Sequence, residues 1–229
     1  VGARVLTHSL PLRQQGAWAE QFIAAAEHVA VLPENVPFDV DAAFPVPGLT
    51  AEQSLGALDI RAGEQLLVHG AGGGDRLPAG PARLLRGAEV IATAGPRSTA
   101  RVGGLGAAAI LDHGEEHWVD RVRELSGGSG VPAAVNAAPS GARAVLRAVR
   151  DGGRLATITS DPPPAERDIA LHTVYVKPDG AMLGRLADLC GRGAIGVPVG
   201  RPYRLEQAPA ALNRVLEGTG GRAIVLAIG

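Results

Sequence analysis

From Gln65 onward the chain repeats one pattern: a short, almost continuous apolar run, then a segment with a different rhythm. The runs are QLLVHG (65–70), AEVIATA (88–94), AAAILDH (107–113), PAAVNAA (132–138) and GRLATIT (153–159), with DIALHTVYV (168–176) as a sixth. A strand with one wet face alternates apolar and polar residues, whereas a run that is apolar throughout fits a strand covered on both faces. EEHWVDRVREL (115–125) and SGARAVLRAVR (140–150) instead place apolar residues three and four apart, which is helical spacing. Strands that alternate with helices imply a parallel sheet joined by right-handed crossovers. The predicted fold class is therefore α/β, with a doubly wound parallel sheet.

The flanks read differently. ARVLTH (3–8) and GAWAEQFIAAAEHVAVLP (16–33) are rich in strand formers and are predicted to be antiparallel strands and turns of a small β unit. In DVDAAFPVPGLTAEQSLGAL (39–58), Thr50 is a predicted N-cap of a helix through Leu58, with Gln53 at the capping-box position. GAMLGRLADLCGRG (180–193) reads as a helix closed by glycine, and YRLEQAPAALNRVLEG (203–218) and GRAIVLAIG (221–229) as a last helix and a last strand. The chain opens at Val1 already in strand-like sequence, as though inside a domain.

Composition narrows the class. The 229 residues are 46% hydrophobic and 20% charged with a formal net charge of -1, so the chain is globular and gives no case for a nucleic-acid or membrane partner. No run reaches the ~18 apolar residues of a membrane span, and no signal peptide is visible. Cys190 is the one cysteine, which excludes an internal disulfide and a cysteine-cluster zinc site and points to a reducing, cytoplasmic setting. The six histidines (His8, His28, His69, His113, His117 and His172) lack metal-ligand spacing, so no metal is expected. Trp18 and Trp118 read as packing residues, Asp112 and His113 as a solvated strand-end pair, and Ser9, Ser54 and Ser140 lack a nucleophile-elbow context.

Chemistry concentrates in HGAGGGDRLPAGPARLLRGAEVIATAG (69–95). A strand that runs into Gly70, Gly72, Gly73 and Gly74 allows a tight turn and lets backbone N–H groups approach a diphosphate, as in Rossmann-type dinucleotide folds. The helix expected next offers its N-terminal amides to the same phosphates. Here Pro78 and Pro81 interrupt it, and Asp75 adds a negative charge that Arg76 offsets. A glycine-rich turn after a strand is also often only a turn, so the loop alone leaves both readings open. At the end of the second strand, where an NAD site places an acid, the chain has Thr93, Ala94, Gly95, Pro96, Arg97 and Ser98. Thr93, Arg97 and Ser98 are candidate partners of a 2′-phosphate, which favours NADPH; the plainer reading makes Arg97 a solvated residue that starts the next helix.

The segments GAWAEQFIAAAEHVAVLPENV, AAFPVPGLTAEQSL, GEQLLVHGAGG, RGAEVIATAG, GGRLATI and GRAIVLAIG, in that order, resemble the medium-chain dehydrogenase/reductase superfamily, specifically its zinc-free quinone oxidoreductase (zeta-crystallin-like) branch. The resemblance covers essentially the whole chain. It implies a partial GroES-like catalytic β domain (1–38), a Rossmann nucleotide-binding domain (39–178) and a segment returning to the catalytic domain (179–229). It also implies that roughly the opening third of a family member precedes Val1, and that NADPH lies between the domains. Thr50 matches the family's threonine beside the nicotinamide, and Gly70, Gly72 and Gly73 match its phosphate loop. Thr93 and Arg97 match its 2′-phosphate neighbourhood, and His113 stands where a tyrosine near the adenosine is common. Asn136, Ala137 and Thr159 match the strand ends that flank the nicotinamide. The family further implies a homodimer through the sheet edge near Ile169–Val176. Its usual peptide after HGAGG, read one base out of register, gives GDRLPAGPAR, so two compensating single-base shifts that bracket Gly74 to Arg83 account for that segment.

The expectation is an NADPH-dependent oxidoreductase that delivers hydride to a small-molecule quinone, enone or carbonyl acceptor, with no catalytic residue assignable. A catalytically silent family member that serves as a structural subunit or nucleotide-binding protein is the alternative. A Rossmann-type methyltransferase is a third option, disfavoured by the missing acid, and no G-x-x-x-x-G-K-[ST] motif supports a phosphate-loop NTPase.

Overall fold

The computed structural model describes residues 1–9, 16–73, 87–104 and 106–228. Gly74 and the prolines of the 74–83 segment lie outside the described residues. Two compact units are formed, one by residues 1–49 with 176–229 and one by Thr50–Tyr175.

The Thr50–Tyr175 unit is built on six parallel strands: β3 (Gln65–His69), β4 (Glu89–Ala94), β5 (Ala109–Asp112), β6 (Val131–Asn136), β7 (Val149–Thr157) and β8 (Ala170–Thr173). Their spatial order is β5-β4-β3-β6-β7-β8. The chain lays down β3 to β5 in one direction from the centre, returns, and lays down β6 to β8 in the other. This is the doubly wound Rossmann order, with its switch point between β3 and β6.

The apolar runs are double-faced, as their composition requires. Leu66, Val68, Val90, Ala92, Ala133 and Val135 pack with Leu55 of α2 (Pro45–Ala57), Leu58 just beyond it, and Val102 of α3 (Thr99–Gly103). The alternate residues Leu67, Ile91, Ala134 and Leu155 pack with Val119 and Val122 of α4 (Trp118–Leu125) and Val145 and Leu146 of α5 (Ala142–Ala148). Period two along each strand thus feeds two separate cores.

In the other unit, β1 (Val5–Thr7) pairs antiparallel with β2 (Val29–Val31), and α6 (Gly180–Gly191) packs against both. Asp179 caps α6 by accepting from the Met182 amide at 2.8 Å. β10 (Leu226–Ala227) runs parallel to β9 (Tyr203–Arg204), and α7 (Ala208–Glu217) lies between them in sequence.

Three expectations change. The 16–33 segment yields only the three-residue β2, because bends and a short 3-10 turn at Ala26–His28 occupy the rest. A helix α1 (Phe38–Ala43) forms where none was predicted, led by Pro37 and carrying Asp39 and Asp41 in its first turn. α2 begins at Pro45 rather than after Thr50, so Thr50 is a mid-helix residue and not an N-cap. Pro45 and Pro47 sit in the first turn, where their missing N–H groups have no intrahelical partner to lose.

Leu67 lies fully buried on a central strand. Leu67→Ala is expected to lower unfolding free energy by about 2–5 kcal/mol, read as a fall in urea midpoint at unchanged slope.

Candidate functional site

The carboxyl ends of the central strands collect most of the buried polar side chains of this unit; Thr50 and Ser54 of α2 are the others among the described residues. His69, Thr93, Asn136, Thr157 and Thr159 are all buried, and Thr93 and Asn136 completely so. His69 of β3 is paired with Asn136 of β6, and Asn136 with Thr157 of β7. Buried polar groups persist only when hydrogen-bonded, and these bond chiefly to one another.

Two clusters result. On one side, the Thr93 hydroxyl accepts from the Gly70 amide at 3.1 Å and lies 2.8 Å from His69 Nδ1. The His69 ring stacks on Trp118, with centroids 4.8 Å apart and planes 12° from parallel. On the other side, Asn136 Nδ2 donates to Thr157 Oγ1 at 3.2 Å and to Thr159 Oγ1 at 3.0 Å. Asn136 Oδ1 accepts from the Ala138 amide at 3.3 Å. The His69 carbonyl, which accepts from the Ala137 amide at 2.9 Å, joins the two.

The glycine turn sits on top of this. Gly70 has φ +82°, and a Cβ there would stand 3.1 Å from the Ala138 backbone nitrogen. Only glycine takes that conformation without strain while the segment just after β6 passes so close. A Cβ on Gly72 would fall 2.2 Å from Ser98 Oγ, so the turn lies directly against the segment that follows β4. Arg101 of α3 donates to the Gly72 carbonyl at 2.6 Å. Internal bonds consume the amides of Gly70, Ala71 and Gly73, whose acceptors are the Thr93 hydroxyl, the Thr93 carbonyl and the Gly70 carbonyl.

The nominated residues therefore fall into distinct places. Gly70, Gly72, Gly73, Ser98, Asn136, Ala137 and Thr159 gather at the carboxyl edge around the switch point, Ser98 with its hydroxyl on the Gly95 carbonyl at 3.0 Å. Thr93 is there too, but its hydroxyl points inward and holds the turn. Arg97 is exposed just past β4, with no ion pair or hydrogen bond among the described residues. His113 is exposed, its ring edge-on to His69 at 6.4 Å and close beside Gly95. Thr50 is buried in α2, and its carbonyl accepts from Ser54 Oγ at 2.7 Å. Gly74 lies outside the described residues.

Sequence reasoning missed three participants. His69 and Thr157 were absorbed into apolar runs, although a polar side chain closing such a run is itself a signal. Arg101 gave no signal, because only the folded chain brings α3 over the turn.

Among the described residues, no group of three or more His, Cys, Asp or Glu side chains is placed to hold a metal ion. A twisted parallel sheet with a glycine turn at its switch point defines a dinucleotide-binding α/β protein. Residues 105–222 match the family described as zinc-binding dehydrogenase. The zinc of that description has no donor set among the described residues. Human quinone oxidoreductase is 28% identical over 242 residues, which cover 98% of this chain and 73% of that protein. A component of the pikromycin polyketide synthase of Streptomyces venezuelae is 36% identical over 162 residues, covering 69% of this chain and 4% of that protein. Among solved structures, an NAD-dependent alcohol dehydrogenase superposes with TM-score 0.81 at 26% identity, covering 94% of this chain and 66% of that one. A mycobacterial quinone oxidoreductase superposes with TM-score 0.73 at 28% identity, covering 86% and 67%. The chain belongs to the zinc-binding dehydrogenase family, in the quinone oxidoreductase-like branch of the medium-chain dehydrogenase/reductase superfamily, and is an oxidoreductase.

Burial lowers the His69 pKa to about 4, with His113 adding to the effect, so the ring is neutral in the fold. The unfolded chain takes up this proton near pH 6.5 and the folded chain does not. Stability is thus lost as pH falls from about 6.5 towards 4, by up to about 3 kcal/mol. Asp41 of the other unit, raised to about 6 by burial, acts in the opposite sense. The comparison with His69→Gln therefore isolates the histidine: the variant is expected to be less stable at pH 7.5 but to lose less on acidification, measured as urea midpoint against pH. Gly141 lies against the same cluster, and a Cβ there would stand 2.7 Å from the His69 ring and 2.8 Å from Asn136 Oδ1. Gly141→Ala is expected to cost about 1–3 kcal/mol by overpacking, read in the same assay.

Proposed function

We propose that this chain is an NADPH-dependent reductase that delivers hydride to a small quinone, enone or carbonyl acceptor. The single observation that carries this reading is the Gly70–Gly73 turn at the β3/β6 switch point, followed by a β4 terminus that has no acid and presents Arg97. When bound, the nicotinamide supplies the hydride, so the protein's part is to bind, orient and exclude water. The turn allows close approach of a diphosphate, and among the described residues Gly72 is the glycine of the turn whose amide makes no internal hydrogen bond. Arg97 would supply charge-assisted bonds to a 2′-phosphate, beside Ser98. His113 lies at the adenosine side and Thr50 on the helix that precedes β3. Asn136, Ala137 and Thr159 form the floor at the nicotinamide side, their hydrogen bonds already satisfied and their positions therefore fixed.

In this reading residues 39–178 hold the nucleotide, and residues 1–38 with 179–229 contribute to acceptor binding. The protein acts in the cytoplasm, and two copies associate through the edge strand β8.

Calorimetric titration tests it. NADPH is expected to bind at least tenfold more tightly than NADH, and Arg97→Ala to erase that preference while it leaves NADH affinity unchanged. The loss of a charge-assisted bond corresponds to about 1.5–3 kcal/mol, roughly 10- to 100-fold. Oxidation of NADPH, followed by absorbance with a quinone panel, reports turnover. No heat with either coenzyme at millimolar concentration overturns the proposal.

A further inference from the structure

A second candidate site lies within the unit formed by residues 1–49 with 176–229. β1, α1 and β10 wall a cavity of about 590 Å³. Its lining is mainly apolar and includes the rings of Phe22 and Phe38. Around it Val5, Phe38, Val46 and Ile228 are 46%, 60%, 46% and 45% exposed, an apolar rim that water covers poorly.

Of the polar side chains that line this cavity (Thr7, His8, Ser9, Asp39 and Asp41), His8 and Asp41 stand out by their burial. His8 and Asp41 are 6% and 8% exposed. His8 Nδ1 and Asp41 Oδ1 are buried and have no hydrogen-bond partner among the described residues. Native proteins pair nearly all such atoms, and an orphaned pair in one apolar chamber calls for a partner from outside. Several neighbours are already engaged, Asp39 Oδ1 by the Val40 amide among them. The Arg4 guanidinium bonds the carbonyls of Pro33, Glu34 and Val36 and lies over the Phe38 ring, and Thr7 Oγ1 donates to the His28 carbonyl.

We infer that this cavity binds a neutral, ring-bearing hydroxyl compound of the phenol class, whose hydroxyl donates to Asp41 Oδ1 and accepts from His8 Nδ1–H. One hydroxyl oxygen both donates and accepts, so the same chemical group suits Asp41 Oδ1 and His8 Nδ1–H alike. Aromatic walls suit an aromatic body, and the volume falls within the range of small-molecule pockets. Burial holds His8 below the ordinary imidazole range and Asp41 at about 6, as expected for groups kept from water. The inference does not depend on the nicotinamide reading, because every residue in it belongs to the 1–49 and 176–229 unit.

The probe is 4-ethylphenol, titrated calorimetrically into the full chain without coenzyme, with ethylbenzene as the control that lacks only the hydroxyl. Ethylphenol is expected to bind at least tenfold more tightly than ethylbenzene. Asp41→Leu and His8→Leu are each expected to abolish that discrimination while raising the melting temperature, because each removes an orphaned polar atom. Asp41→Asn keeps an acceptor oxygen and is expected to retain binding within about threefold. Should a leucine variant fail to fold, chemical-shift changes of the His8 ring on addition of ethylphenol to the unmodified chain decide instead. Equal affinity for the two probes, no binding at 10 mM, discrimination that survives both leucine variants, or an unmoved His8 ring overturns the proposal.

Discussion

The Thr93 hydroxyl is the point on which the candidate site hangs. It sits fully buried at the end of β4, accepts from the Gly70 amide and bonds His69 Nδ1. Through Gly70 it fixes where the glycine turn leaves β3, and through His69 it fixes the imidazole against Trp118. The His69 carbonyl then ties the same strand end to Ala137 of the neighbouring segment. One side-chain oxygen thus couples turn geometry, strand spacing and the packing of α4. A threonine-to-valine change at this position would keep the shape and strip the turn of its anchor.

This arrangement also limits what the turn offers. A phosphate-binding loop is useful for the amides it leaves unpaired, and here the internal bonds of Gly70, Ala71 and Gly73 hold the turn rigid. The described part of the loop works mainly through closeness: Gly72 carries no side chain where one would collide with Ser98. Rigidity before binding reduces the ordering cost of association, so a turn that spends amides on itself is not thereby a poor site.

Much of the parallel sheet could be read from the chain because physical necessity makes its strands apolar on both faces. Leu66 and Leu67 point into different cores, and so do Val90 and Ile91, which leaves no polar phase to hide the run. The ends of elements were less legible. The capping-box pattern puts the helix start at Thr50, yet proline in a first turn is compatible with a helix, and α2 starts at Pro45. Within the site, Thr93 was singled out as a surface ligand for phosphate, whereas the structure turns its hydroxyl inward. Sequence position gives the strand end but not the direction of the side chain. Arg101 was invisible because its contact spans from α3 back to a carbonyl of the preceding turn, a distance in sequence that no local pattern encodes.

That guanidinium contact has a mechanical consequence. Gly72 is held by Arg101 at its carbonyl and by the Ser98 side chain against its Cα, and both residues belong to α3 or its approach. α3 in turn touches β5, where Gly103 abuts Ile110. The turn, the helix and the outer strand are therefore geared together. A molecule that pries the turn upward must either drag α3 along or snap the tether, and in the first case the displacement reaches the far border of the sheet.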